Sequence, residues 1–373
     1  MTQELNKPIE NKRNYQLDFL KLIFSILVFF FHTELFAGEN VPKLLRCQLG
    51  EVSVHFFFVV TGMLMVNSIM KHDPPHTGAP GKSAITFVLR KFKGISWQYW
   101  TSLFIFMVVY LFIYNDFTVE LTFVNLFRAI PEALLVHYAG LTLMFNMPLW
   151  YLSAMFLSML FLVYLIYRHR DFALYVFSPL TAVFTLGYMG QVNNYLFVPF
   201  YSLYGVVVGG VIRALCGLCF GVVAWLIYNR ISQWRLNRNG RIVLTIVELL
   251  LYTIFFTGWL ILQDNMVIMS VILILPIALA ISFSGKSYIS KLFGFKWMKH
   301  FGVFSLAVYL NQWTARYLVH KFFPDCSYKN GVLLMALFTI AAIVLYFAII
   351  YFGKALWKKL HKKLVDEQEV VEQ

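Results

Sequence analysis

The chain has 373 residues, of which 60% are hydrophobic and 13% charged, with a mean hydropathy of +0.69 and a formal net charge of +13. These proportions exclude a soluble globular domain and place the chain in a lipid bilayer. The positive balance does not point to nucleic acid, because the basic residues are scattered through short connections beside apolar runs, where anionic lipid headgroups meet them.

A helix needs roughly 20 apolar residues to cross the hydrocarbon core, and the sequence offers about ten such stretches. In chain order they are Leu17–Ala37, Val52–Met70, Trp97–Tyr114, Pro148–Tyr167, Phe172–Met189, Ile212–Tyr228, Ile242–Leu262, Met266–Phe283, Phe301–Val319 and Val332–Phe352. The segment Tyr195–Gly210, punctuated by Pro199, Gly205, Gly209 and Gly210, reads as a half-helix, a loop or an additional crossing. The expected fold class is an all-α polytopic integral membrane protein. Its first apolar run is interrupted by charge and followed by Glu39 and Asn40 rather than a small-residue cleavage site, so it reads as a retained span.

Lys and Arg concentrate on the cytoplasmic side of membrane proteins. Here they crowd the alternate connections that hold Lys71 to Lys93, Arg168 and Arg170, Arg230 to Arg241, Lys286 to Lys299, and Lys354 to Lys363. The intervening connections hold Lys43, Arg46, Arg128, Lys321 and Lys329. Both termini are thus expected in the cytoplasm, with a cytoplasmic segment at 1–16, one transmembrane domain at 17–357 and a charged tail at 358–373. Cys216 and Cys219 form a CxxC inside an apolar helix with no second ligand pair nearby, which reads as packing; no metal site is expected. Cys47 and Cys326 fall in outer connections, where an oxidising compartment would let them pair.

The first span, LDFLKLIFSILVFFFH (Leu17–His32), carries more polarity than a lipid-facing helix tolerates. Eleven positions turn a helix about 1,100°, so Lys21 and His32 share a face about 16 Å apart along the axis. Asp18 lies a turn before Lys21 and Ser25 a turn after it, completing a stripe that should face protein or water. Further polar groups in or at the edges of spans are His55, Thr61, Arg213, Glu248 and Arg316, with Glu248 a candidate for neutralising an arginine. His137 falls in an outer connection and is expected to be solvated or on the acceptor side.

The same stretch resembles the opening motif of the acyltransferase-3 membrane acyltransferases, in which an Arg and a His on the first span, ten residues between them, follow a Leu-Asp pair. Lys21 stands at the Arg position. Similarity continues, in order, through GEVSVHFFFVVTGMLM (Gly50–Met65, with Thr61 in place of the family's Ser), LRKFKGISWQYW (Leu89–Trp100), PLWYLSAMF (Pro148–Phe156), RALCGLCFG (Arg213–Gly221) and FGVFSLAVYLNQW (Phe301–Trp313). The chain departs from the family in lacking the planar fork of Arg at Lys21, in having Asn311 and Gln312 where a His often follows Tyr-Leu, and in lacking an acidic residue within Pro148–Phe156.

The resemblance implies O-acyl transfer from an acyl-coenzyme A donor, most simply acetyl-coenzyme A, to a hydroxyl of a cell-surface or secreted glycan or glycolipid, in a bacterial cytoplasmic membrane. The donor would be reached from the cytoplasm and the acceptor presented outside, with no permanently bound cofactor. Such chemistry needs a base for the acceptor hydroxyl, donors for the oxyanion and positive charge for the donor's phosphates. His32 is the candidate base, preferred over His55, with Asp18 placed beside it among the catalytic residues. Lys21, Arg90 and Lys93 are the candidate donor-binding residues, next to Lys91; Ser25, His55, Thr61, Arg213 and Arg316 are assigned to the surroundings. The connection Asn115–Met147 and the segment Gln191–Tyr204 supply Asn and Tyr groups suited to sugar hydroxyls or to an interfacial aromatic belt. Two other readings fit the same stripe: a transporter or flippase of a glycan or lipid precursor, and an acyltransferase-like partner impaired in catalysis.

Overall fold

The computed structural model describes residues 13–36, 49–72, 79–114, 118–141, 145–191, 202–203, 207–261 and 265–371, and these are almost wholly helical. The principal helices are α1 (Tyr15–His32), α2 (Leu49–His72), α3 (Pro80–Tyr114), α4 (Val119–Ala133), α5 (Trp150–Arg168), α6 (Arg170–Gln191), α7 (Gly209–Gln233), α8 (Arg238–Ile261), α9 (Asn265–Ser284), α10 (Lys299–Phe322) and α11 (Tyr328–Val371). Eight of them, α1, α2, α3, α5, α6, α7, α8 and α11, are long and apolar enough to cross a membrane. In α9 the apolar stretch Met269–Ser284 is shorter. The 24 residues of α10 have the length, but Asn311, Gln312 and Arg316 make it too polar to stand with the eight.

Helix α1 begins where Asn14 caps it, its side-chain oxygen accepting from the Leu17 N–H at 3.0 Å. The Asn14 amide donates in turn to the Ser282 and Phe283 carbonyls at 2.9 and 3.3 Å, so the start of α1 also closes the last turn of α9. The face of α1 bearing the polar stripe packs on α10, and the two helices run parallel: Asp18 lies on Gly302, Ser25 meets Ser305 at 2.7 Å and His32 meets Trp313. Helix α2 runs antiparallel to α1, with Phe56 stacked on Phe24 at 3.8 Å between ring centres and Gly50 against Phe31.

The centre of the bundle is the contact of α2 with α7. A Cβ at Gly62 would strike the Leu218 carbonyl, and one at Gly221 would strike that of Val59. Small residues therefore let two backbones approach where lipid supplies no hydrophobic drive for helix association. Helices α5 and α9 pack on α7 and α10 on α3, while α8 and α11 keep much of their surface, including Leu249, Leu250, Ile340 and Val344, exposed for lipid.

Several elements differ from expectation. Helix α3 begins at Pro80, so the basic stretch with Lys82, Arg90, Lys91 and Lys93 is a helical extension of the third span rather than a loop; at 35 residues it exceeds the hydrocarbon thickness. The expected outer connection Asn115–Met147 contains α4, which exposes Phe123, Phe127 and Ile130 and buries Asn125, Ala129 and Glu132, the pattern of a helix lying in the interface. Helix α6 opens with a π-helical turn over Ala173–Phe177, where Pro179 offers no N–H to continue the ladder and Ser178 bonds the Ala173 carbonyl at 2.6 Å. Of Tyr195–Gly210, the described residues form a two-residue antiparallel ladder, Ser202–Leu203 with Val207–Val208, leading into Gly209 and Gly210, where the α7 span begins; they contain no further crossing. The tail assigned to 358–373 continues α11 to Val371.

Candidate functional site

Helix α1 delivers His32 to its last turn, and α10 brings three side chains to meet it. Trp313 packs edge-on at 5.1 Å between ring centres, Gln312 turns its side chain toward the imidazole, and Arg316 stands close enough to act on it electrostatically. Arg316 lies over the Trp313 ring at 4.1 Å, a cation–π contact that holds the guanidinium beside the histidine. Residues 309, 312, 313 and 316 recur at helical spacing, so one face of α10 carries all of these groups. The Gln312 amide nitrogen donates to the Tyr309 carbonyl at 3.2 Å. That bond fixes which way the amide points and leaves Oε1 without a hydrogen-bond partner.

Unmet hydrogen-bonding capacity gathers at this level. His32 Nδ1, Asn311 Oδ1, Gln312 Oε1, Trp313 Nε1, Thr314 Oγ1 and Arg316 Nε are all buried with no protein hydrogen bond, as is Asn146 Oδ1 on the segment that bonds α10. Asn146 Nδ2 donates to the Leu310 carbonyl at 3.3 Å, and Ser102 on α3 donates to the same carbonyl at 2.7 Å. Buried polar atoms are normally satisfied, so these open donors and acceptors beside His32 make the region the candidate site.

Glu132 of α4 positions the Asn146 segment. Its two carboxylate oxygens accept from the backbone N–H groups of Phe145 and Asn146 at 2.8 and 3.0 Å, and Tyr99 of α3 donates to its backbone carbonyl. Burial pushes the Glu132 carboxyl up to about 7, against the opposing pull of the two N–H donors. His137 is buried beside Tyr138 rather than solvated, and burial lowers it to about 4, which keeps it neutral near pH 7.

A second cluster lies deeper. His55 and Arg213, both fully buried, interact electrostatically, and Arg213 lies 5.6 Å over the Trp150 ring. Tyr151 is within 3.3 Å of the Thr61 hydroxyl, and Tyr309 donates to the Pro148 carbonyl at 2.9 Å. The antiparallel register of α1 and α2 sets His55 level with Ser25 and Ile26, about 10 Å nearer the Asp18 end than His32. His55 therefore belongs to the middle of the bundle, below the level of His32.

At the Asp18 end, the carboxylate accepts from Arg13 Nε at 2.6 Å and faces Lys21 Nζ at 3.9 Å, while Arg13 also bonds the Lys299 carbonyl at 3.0 Å. Asp18 and His32 are fourteen positions apart, about 21 Å along the helix, so Asp18 faces Lys21 and does not touch the imidazole. Ser25 is absorbed by Ser305, whose hydroxyl also bonds the Lys21 carbonyl at 2.9 Å. On α3, Arg90 lines a cavity of 260 Å³ with Lys82, Ser83, Thr86 and Tyr167. Lys93 is exposed on the same helix, and Lys91 donates to Ser68 at 3.1 Å.

Cys216 and Cys219 are buried free thiols in α7, with Cys216 Sγ near the Ala182 carbonyl at 3.5 Å, as packing requires. Cys326 is a free thiol; Cys47 lies outside the described residues, as do the acceptor-side candidates at 192–201 and 204–206. Among the described residues no group of three or more His, Cys, Asp or Glu could hold a metal ion.

Sequence reasoning did not single out Gln312, Trp313, Asn146 or Glu132 as site residues. Adjacent amides inside an apolar span, Asn311 and Gln312, were the available signal; Glu132 carried none, since its role comes from a loop 13 residues on. Comparison with curated proteins and with solved structures finds no match. A family model described as an acyltransferase domain matches residues 14–352, from the residue that caps α1 well into α11, and the chain belongs to this acyltransferase-3 family.

Proposed function

We propose that this member of a membrane acyltransferase family is an O-acyltransferase that moves a small acyl group, acetyl in the simplest case, from acyl-coenzyme A to a hydroxyl of a cell-surface or secreted glycan. His32 is the general base. Residues 17–357 form the catalytic membrane unit, in a bacterial cytoplasmic membrane with the Asp18 end of α1 toward the cytoplasm. The observation that carries this reading is the imidazole of His32 held between Trp313, Gln312 and Arg316 amid buried polar atoms that protein leaves unsatisfied.

In the proposed step the imidazole takes the proton of the acceptor hydroxyl as its oxygen attacks the thioester carbonyl. The tetrahedral oxyanion forms near Arg316, whose fixed positive charge stabilises it. The carbon–sulfur bond then breaks, and the imidazolium returns its proton to the departing thiolate. Lys21, held by Asp18 about 16 Å along α1 from His32, receives phosphate groups of the donor, and Arg90 and Lys93 of α3 add positive charge on the same side of the membrane. The flexible pantetheine arm suits a separation of this kind. Orphaned amide oxygens at Asn146, Asn311 and Gln312 favour a ligand rich in donors, as a polyhydroxylated sugar is.

Mass spectrometry of surface glycans from cells with and without the gene tests the reading. The expected difference is the mass of one small acyl group, restored by complementation with the wild-type gene and not with His32→Ala. Full acylation by an inserted, folded His32→Ala protein would remove His32 as the base; glycan movement without consumption of acyl-coenzyme A would favour transport.

A further inference from the structure

A buried carboxylate lies outside the acyl-transfer site, at the opposite end of α1. Glu248 of α8 is fully buried between α1 and α9 and makes no ion pair among the described residues. The expectation that it neutralises an arginine therefore finds no support there. Its Oε1 accepts twice, from Gln16 Nε2 at 2.6 Å and Ser282 Oγ at 2.5 Å, and Tyr252 lies on the Ser282 hydroxyl at 2.9 Å. Its Oε2 accepts nothing, and the Gln16 carboxamide oxygen, also buried, accepts nothing. Two orphaned oxygens thus belong to one hydrogen-bonded acid–amide pair.

An anion in a low-dielectric interior needs a compensating charge, and a membrane-embedded carboxylate more than most. Among the described residues, the hydrogen-bonded groups around the carboxylate are Gln16, Ser282 and Tyr252, none of them a cation. One positive charge satisfies both orphans together. A proton on Oε2 would donate to the Gln16 oxygen and close an acid–amide ring with two hydrogen bonds. An alkali cation would take the same two oxygens with the Ser282 and Tyr252 hydroxyls, as hard cations do.

We propose that Glu248 and Gln16 form a binding site for one monovalent positive charge, a proton or an alkali cation. The site joins α1, α8 and α9 beside the Asn14 cap. It needs no part of the acyl-transfer reading.

Two measurements on the full-length protein in lipid nanodiscs test it. If the charge is a proton, infrared spectra at neutral pH show the carbonyl band of a protonated acid that Glu248→Gln removes and Gln16→Leu shifts. Glu248→Gln, which keeps the ring of hydrogen bonds, then unfolds no earlier than wild type. If the charge is a cation, the wild-type unfolding midpoint rises by about 3 °C in sodium or potassium chloride over choline chloride at equal ionic strength. Glu248→Gln then loses that rise. Should Glu248→Gln not fold, the wild-type salt series and the Gln16→Leu band shift decide instead. An ionised Glu248 with no cation response overturns the proposal, as does a Gln16→Leu protein that changes neither readout.

Discussion

At the scale of the residue, the imidazole of His32 is confined by neighbours that protein chemistry alone does not satisfy, and that sets what its loss should do. Removing a general base costs a factor of about 100 or more in rate. His32→Ala should therefore reduce acyl transfer by at least that factor while the unfolding midpoint stays near wild type, measured with radiolabelled acyl donor and purified protein. Lys21 should read out differently. Lys21→Met is expected to raise KM for acyl-coenzyme A about tenfold with kcat little changed, since in the proposed step the group binds rather than reacts; Lys21→Arg keeps the charge and adds a planar fork, so its KM should equal or fall below wild type. Lys21 and His32 were legible in the sequence because one helix carries both and the 100° rotation fixes their relation. Gln312 and Glu132 were not, because each acts on a residue that only tertiary contact brings near.

At the scale of the element, α4 and the segment after it form a unit whose tie is the Glu132 carboxyl on two backbone N–H groups. Its folded value of about 7 lies above the 4.5 of an unperturbed carboxyl. The unfolded chain therefore ionises first, and the stability associated with the protonated form is lost as pH rises from about 4.5 through about 7 and then levels off, a change of roughly 3 kcal/mol at most. Hydrogen exchange of the Phe145 and Asn146 amides should accordingly show greater opening at pH 8 than at pH 6 after correction for intrinsic rate. Glu132→Gln should flatten that dependence while costing about 1 kcal/mol, because an amide offers one acceptor where the carboxyl offers two. The α2–α7 contact makes a separate prediction: Gly221→Val places a branched side chain against the Val59 carbonyl and should destabilise the protein by about 1–3 kcal/mol in a detergent unfolding assay. Apolar runs announced these helices, since lipid imposes a length on them. Amphipathic α4 stayed hidden because a helix lying in the interface needs no such run.

At the scale of the whole molecule, apolar side chains cover the surface as well as fill the core, and the chain's apolar excess is explained by that doubling, with a few polar groups enclosed among them. Phe104, Phe112 and Phe184 are more than half exposed, whereas Glu248, Asn311, Gln312 and Arg213 are buried. Helix α10 shows what this demands during synthesis. The amides Asn311 and Gln312 near the middle of α10 and Arg316 in its second half oppose its partitioning into lipid, an arginine by up to about 2.5–3.5 kcal/mol at a helix centre and less toward an end. Helix α10 packs on α1, made long before, through Ser25 on Ser305 and His32 on Trp313, and the strongly apolar α11 follows after a short connection. A chain truncated after Phe322 should therefore leave α10 outside the bilayer, accessible to a membrane-impermeant thiol reagent at an introduced cysteine, while extension through α11 should protect it. The polarity that recommends α10 as part of the proposed site also makes it a late and dependent arrival, secured only once its neighbours have claimed the membrane.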